Sequence, residues 1–411
     1  MTVARKKTQH SLLTYYQCFL AVVAVLILYT AADIYYFDLG VTPAVKYIVG
    51  GLYVAAAPLL ISFRKKNFKY VPINVILWCG LYLGISAASF LQSVPTEFVT
   101  QELETRILAV LFMLLMTLIL SGEPIVRTTL RYTLFIAAGI TIFNNFTELF
   151  NPEAFNEFNV TGRPAGFYID PNKSGASLIM AMIFSIGLLP KKLRIFYFII
   201  IFSGAFITFS RGATLCLIIL LFLFLFKRVI ATSQVYSIFA GLIILLTIIG
   251  NVGTYLVDQA SELGVLNYSI EQRIIAITNF ADPDKREADD GSSRSDVAMV
   301  AWKTFTKRPF IGYGIGYIRE WGDILPHNMY LTYMVENGFL GCLILPSLVF
   351  AVTRNSYGEA KQLSLFFGVF ILLWALFSNT VLEDRETLTV FVLLAVMSKY
   401  SRLERINPGK L

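Results

Sequence analysis

The chain alternates long apolar runs with short polar breaks. Runs at 12–32, 44–62, 71–91, 106–121, 130–148, 173–189, 194–209, 213–226, 236–256, 329–352, 362–378 and 387–399 approach the roughly 20 residues a helix needs to cross a bilayer. No stretch shows the period-two alternation of membrane β-strands of roughly ten residues. The pattern predicts an all-α polytopic membrane protein with about twelve transmembrane helices.

Between the ninth and tenth runs lies a long polar interval, about 257–326, with a pattern of its own. Ile270, Ile274, Ile277 and Phe280 fall at helical spacing, and Ser269 with Gln272 forms a capping box. "ADPDKREADDGSS" reads as a charged linker. A second helix is expected from Ser293, with Asp296 three positions on. Val297, Val300, Ala301 and Phe305 would share its face, and Lys307, Arg308 and Pro309 would end it. Both helices are amphipathic, which suits the membrane surface or a cap on the bundle. "GYGIGY" then turns the chain back; no strand–helix unit surrounds it, so it is not a nucleotide cradle. The chain thus divides into 1–256, with nine spans; 257–326, the loop; and 327–411, with the last three spans and a tail.

Composition removes the soluble reading: 56% of residues are apolar and 14% aromatic. The formal charge of +7 could suggest nucleic acid, but topology accounts for it better. More than half of the 34 basic residues sit in alternate breaks, at Arg5, Lys6 and Lys7, at Arg64, Lys65, Lys66 and Lys69, and at Arg127 and Arg131. The series continues at Lys191, Lys192 and Arg194, at Lys227 and Arg228, at Arg354 and Lys361, and in the tail. The short breaks on the other side hold only Lys46, Arg106, Arg163, Lys173, Arg211 and Arg385. The positive-inside rule therefore puts both termini in the cytoplasm and the long loop outside, in a bacterium the periplasm or cell exterior. Membrane lipids are expected partners, and nucleic acid is not. The run at 12–32 is too long for a signal-peptide core and reads as a retained span. Cys18, Cys79, Cys216 and Cys342 each lie in an apolar run, so neither a disulfide nor a metal cluster is expected.

The candidate chemistry lies on the outward side. In "FITFSRGATLCL", Arg211 stands between two apolar runs. An ionised group there is costly and faces a cavity or partner, unless it is a turn arginine snorkelling to headgroups. "TGRPAGFYIDPNKSGA" carries Arg163 and Lys173, the latter opening a span, and Arg294 opens the second loop helix. A helix start offers free N–H groups and positive potential to an anion, and arginine adds a fork matched to phosphate. Arg294 alone could equally be a surface charge; the recurrence of cations at outward helix starts points to a diphosphate.

Of the two histidines, His10 lies in the basic tail and His327 lies between Pro326 and Asn328, at the start of the tenth run. Asn328 is a fair cap. The helix dipole disfavours imidazolium and favours the neutral ring a general base needs, although a histidine that only caps remains open. Asp282 and Asp284 formally match a two-carboxylate metal pattern but sit in the charged linker. Before the last run, Glu383 and Asp384 either orient a sugar or hold Arg385 in an ion pair. There is no Ser-His-Asp arrangement and no zinc spacing.

Together and in this order, these features resemble the O-antigen ligase and polymerase superfamily of bacterial membrane glycosyltransferases. "SRG" with Arg211 looks like the family's first essential arginine. Arg294, ahead of "AWKTFTKRPFIGYGIG", looks like the second, and "PHN" with His327 like its histidine; "GRPAGFYIDPNKSGA" matches a frequent family pattern. The acidic site some members carry between the last two spans has no single counterpart, since Asn379, Glu383 and Asp384 compete for it. The resemblance implies a GT-C-like fold in the inner membrane with its active site facing the periplasm. It implies transfer of a glycan from undecaprenyl diphosphate to lipid A–core oligosaccharide, with inversion and without a cofactor or metal. In that reading His327 is the base, and Arg211, Arg294, Arg163 and Lys173 bind the donor diphosphate. Asn328, Asp170, Glu383, Asp384 and Arg385 are candidates to bind or orient sugar. A polymerase, a protein O-oligosaccharyltransferase and, less favoured, a lipid-linked glycan transporter are the competing readings; no matched halves with paired broken helices support the last.

Overall fold

A computed structural model describes residues 11–62, 68–151, 154–155, 163–231, 236, 291–321 and 325–406, with side chains except at 61, 62, 68 and 291–294. Among these every regular element is helical. The helices are α1 (Leu12–Ala24, running on as a π turn, Val25–Tyr29), α2 (Ala32–Asp38), α3 (Val45–Ser62), α4 (Ile73–Gln92) and α5 (Glu97–Leu120). Then come α6 (Pro124–Phe150), α7 (Pro171–Ser185), α8 (Lys191–Phe206), α9 (Arg211–Phe226) and α10 (Gly291–Lys307). The last four are α11 (Met329–Asn337), α12 (Phe339–Thr353), α13 (Gly358–Trp374) and α14 (Arg385–Ile406).

Leu12–Tyr29, α4, α5 and α6 are long and apolar enough to cross a membrane by length and composition, and α3, α9 and α12 contain shorter apolar helices. Large apolar side chains stand outward on them: Val54, Leu77, Leu91, Phe143 and Phe226 are all more than half exposed. Such surfaces suit lipid rather than water. This is a membrane protein.

Two helices lie inside the bundle. From Ser174 to Ser185 every residue of α7 is buried, and α14 is buried from Glu386 to Val396. A helix buried all round belongs to the centre of a large bundle. Because protein rather than lipid surrounds them, they carry Ser174, Ser177, Thr387 and Thr389 at no hydropathic penalty, so their apolar signal is weak. Phe184 of α7 and Phe391 of α14 both pack on Phe367 of α13, at 5.6 and 4.8 Å between ring centroids.

Several expectations need correction. The run at 329–352 is not one helix; it breaks at Gly338 into α11 and α12. Gly338 takes φ +63°, and a Cβ there would run into the Phe310 carbonyl. The "GYGIGY" segment fills the break: Tyr313 N–H donates to the Val335 carbonyl at 2.9 Å and Gly314 N–H to Glu336 at 3.0 Å. Gly316, φ +76°, would place a Cβ 2.8 Å from Val99 Cα. These glycines are required by close backbone approach, not by a ligand.

Arg106 is not in a break. Thr96 caps α5 ten positions earlier, so Arg106 sits inside the helix at 1% exposure. Likewise α6 starts at Pro124, and Arg127 and Arg131 are buried within it. The loop helix is described over Gly291–Lys307, and its inner face is Ala301 and Phe305, while Val300, expected on that face, is exposed. The expected helix at 269–280, the linker around Asp282 and Asp284, and the run at 236–256 apart from Tyr236 lie outside the described residues. The four cysteines are all unpaired.

Candidate active site

The starts of α7, α9, α11 and α14 meet at the end of α13. Met329, first residue of α11, donates its N–H to the carbonyls of Ala375 and Ser378 at 2.9 and 3.1 Å. Gly212, in the first turn of α9, lies so close to Phe377 that a Cβ would sit 2.9 Å from the ring. These two contacts set the backbone at His327 and at Arg211 against the same short segment, 375–378. Arg211 and His327 are both exposed there.

Each helix start is capped by its own chemistry. Asn328 Oδ1 accepts from Leu331 N–H at 3.1 Å, Ser210 Oγ from Ala213 N–H at 3.4 Å and Asp170 Oδ1 from Asn172 N–H at 2.8 Å. Asn328 is therefore a cap, and His327 is the residue immediately outside it. Asp170 is likewise committed to α7. Arg163 is buried and donates to the Thr208 carbonyl at 3.0 Å and to Asn172 Oδ1 at 3.4 Å; the same Asn172 oxygen accepts from Ser210 at 2.9 Å. Arg163 thus joins the start of α7 to the residues that lead into α9. Gly175 permits that closeness, facing the Ala213 Cβ.

Lys173 binds Asp384 at 2.7 Å, tying together the starts of the two central helices. Asp384 also accepts from Thr380 Oγ1 at 3.0 Å. Arg385 does form an ion pair, as one reading expected, but with buried Asp33 at 3.1 Å rather than with Glu383 or Asp384. Glu383 faces Arg319 instead, at 3.4 Å. Arg294 lies in the first turn of α10, and its side chain is outside those described.

Behind these groups is a network that hydropathy reading missed. Buried Arg106 binds Glu102 at 2.9 Å and Glu336 more closely still, and lies 4.8 Å from the centroid of the Tyr333 ring. Arg319 reaches the other oxygen of Glu102 at 2.6 Å. Glu336 also accepts from Gly316 N–H at 2.9 Å. Two guanidiniums therefore serve three carboxylates, Glu102, Glu336 and Glu383, and the three cannot all ionise at equal ease. Glu383, in the segment between α13 and α14, is pushed up to about 8 by burial and the nearby Glu102, against the pull of Arg319. The signal was present in the sequence: Glu102 and Arg106 stand four apart in an apolar helix, and Glu336 interrupts an apolar run. Ionisable groups in such places are seldom idle.

Removing one partner of a buried pair strands the other charge. Glu336→Ala is expected to destabilise the chain by about 3 kcal/mol or more, read as a lower unfolding midpoint in detergent, while Glu336→Gln keeps the Gly316 bond and costs less. Equal midpoints for the parent and the alanine variant would contradict the network's structural role.

Among the described residues no group of three or more His, Cys, Asp or Glu side chains is placed to hold a metal. The arrangement instead offers cations at helix starts beside an exposed imidazole, which suits an anionic leaving group and a proton acceptor. Residues 196–345 match the family model described as O-antigen ligase, a segment that contains Arg211, Arg294 and His327. No curated protein matches the chain.

Proposed function

We propose, from the match of residues 196–345 to the family model described as O-antigen ligase, that the chain is a glycosyltransferase of ligase type. It takes a glycan from undecaprenyl diphosphate and joins it to a sugar hydroxyl of lipid A–core oligosaccharide. The observation that carries this reading is the meeting of Met329 and Gly212, close in sequence to His327 and Arg211, on residues 375–378. In the proposed topology twelve spans hold the site at the periplasmic face of the inner membrane, with both termini in the cytoplasm.

The chemistry follows from what the residues can do. The acceptor hydroxyl loses a proton as its oxygen attacks the anomeric carbon, and His327 receives that proton. The bond to the diphosphate breaks on the opposite face, so the anomeric centre inverts. Negative charge grows on the departing diphosphate, where Arg211 and Arg294 supply guanidinium forks. Arg163, held between α7 and α9, and Lys173, anchored by Asp384, act from behind, fixing the two helix starts and adding positive potential. Glu383, Asp384 and Arg385, each in an ion pair, shape the segment that borders the sugar.

The test is the product's anomeric configuration, read by nuclear magnetic resonance after transfer by the purified protein. Inversion is expected; retention would overturn a single displacement. The same assay should keep full rate in excess chelator, because the cations at the site are arginines and a lysine. Loss of rate on chelation, restored by magnesium or manganese, would return Asp282 and Asp284 to consideration as ligands.

A further inference from the structure

At the far end of α13 and α14 from the candidate site lies a cleft of about 410 Å³. From Asp384 at the candidate site to Tyr400 in the cleft, α14 runs 16 positions, about 24 Å at 1.5 Å per residue. The start of α6, the start of α13 and the last turns of α14 border it, with Arg127, Arg131, Glu359, Tyr400, Glu404 and Arg405 among its lining.

The charges in it are unevenly matched. Arg131 is satisfied: its Nη atoms bind Glu359 at 2.6 and 3.1 Å, and its Nε donates to the Phe184 carbonyl at 2.7 Å. Arg405 is exposed and lies over the Tyr357 ring, 4.2 Å from its centroid. Arg127 is different. It is 5% exposed, and its Nη1 donates to the Gly122 carbonyl at 3.1 Å. Among the described residues its buried Nη2 has no hydrogen-bond partner, and no ion pair is formed by Arg127. The faces of Tyr400 and Tyr70, at 4.2 and 5.8 Å, hold the guanidinium without satisfying its donors.

A buried cation with an unmade hydrogen bond and only the exposed Glu404 acting on it from a distance is costly, and a membrane protein that keeps one has a use for the charge. We propose that this cleft binds a phosphate group, as a monoester or diester, through Arg127 with Arg405 as the second cation. Glu359 is already neutralised by Arg131, so Glu404, exposed at the rim, is the one acid that opposes an anion. The first turns of α6 and α13 add positive potential. Arginine rather than lysine suits the role, because the fork presents two parallel donors to phosphate oxygens. The phosphate could come from an anionic phospholipid headgroup or from solution. This reading is independent of the glycan chemistry at the other end.

The experiment uses the full chain, purified in an uncharged detergent, and measures binding of phosphatidylglycerol, diacylglycerol and inorganic phosphate. Phosphatidylglycerol or inorganic phosphate should bind above diacylglycerol, and Arg127→Met should weaken that binding about tenfold, as loss of a charge-assisted hydrogen bond does. Glu404→Gln should strengthen it. Binding of phosphatidylglycerol alone assigns a headgroup; binding of both assigns the phosphate itself. Should Arg127→Met fail to fold, the exposed Arg405→Gln must weaken binding severalfold. No preference over diacylglycerol, or binding unchanged by the variants, would overturn the proposal.

Discussion

His327→Ala should abolish glycan transfer while leaving insertion and donor binding intact. The expected loss is about 10²–10⁴-fold in rate, the usual contribution of a general base. His327 is exposed and lies outside the cap of α11, whereas the capping bond belongs to Asn328 and the anchoring bonds to Met329 N–H. Alanine at 327 therefore leaves the helix start and its seat on residues 375–378 in place. A base acts on the proton in flight and contributes little to ground-state binding, so rate and donor affinity should separate. Near-normal transfer by a normally expressed variant would remove His327 from the mechanism.

The second large effect is expected at Arg211 and Arg294. Both open helices, and both are proposed to meet the donor diphosphate. Arg→Lys at either should fail nearly as badly as Arg→Ala, since lysine keeps the charge and loses the bidentate fork. The double variant should lose much less than the product of the single losses, because groups acting on one anion do not contribute independently. The measurement is the transfer rate of each single variant and the double. Fully multiplicative losses, or lysine variants as active as the parent, would separate the two arginines. Arg163 supplies a control of a different kind: it holds the Thr208 carbonyl and Asn172, so its replacement should lower the unfolding midpoint as well as the rate.

Much of this arrangement was legible in the sequence, for identifiable reasons. Apolar runs report lipid exposure and burial alike, and most of each expected segment falls on helix where residues are described, with 329–352 split in two. The cap at Asn328, the helix start at Arg211 and the place of Lys173 in the first turn of α7 follow from local chemistry, which sequence displays directly. What escaped was tertiary. Nothing local says that Arg385 finds Asp33, or that Asp384 takes Lys173 and leaves Glu383 to Arg319. Hydropathy also treats a charge as the end of a run. That habit placed Arg106, Arg127 and Arg131 in breaks, although each is buried in a helix whose start lies further upstream. The break at Gly338 escaped for the converse reason. Apolar residues continue across it, and only the glycine, together with the three in "GYGIGY" that pack around it, marks the turn.

In the proposed reaction one outward-facing site moves a lipid-linked glycan onto a second lipid acceptor. The most direct measurement incubates the purified chain in liposomes with undecaprenyl-diphosphate-linked glycan, labelled in the sugar, and lipid A–core, and identifies the labelled products by mass spectrometry. Label on lipid A–core, with one undecaprenyl diphosphate released per glycan moved, is the predicted result. Label found only in longer undecaprenyl-linked chains, or left on the donor, would contradict it.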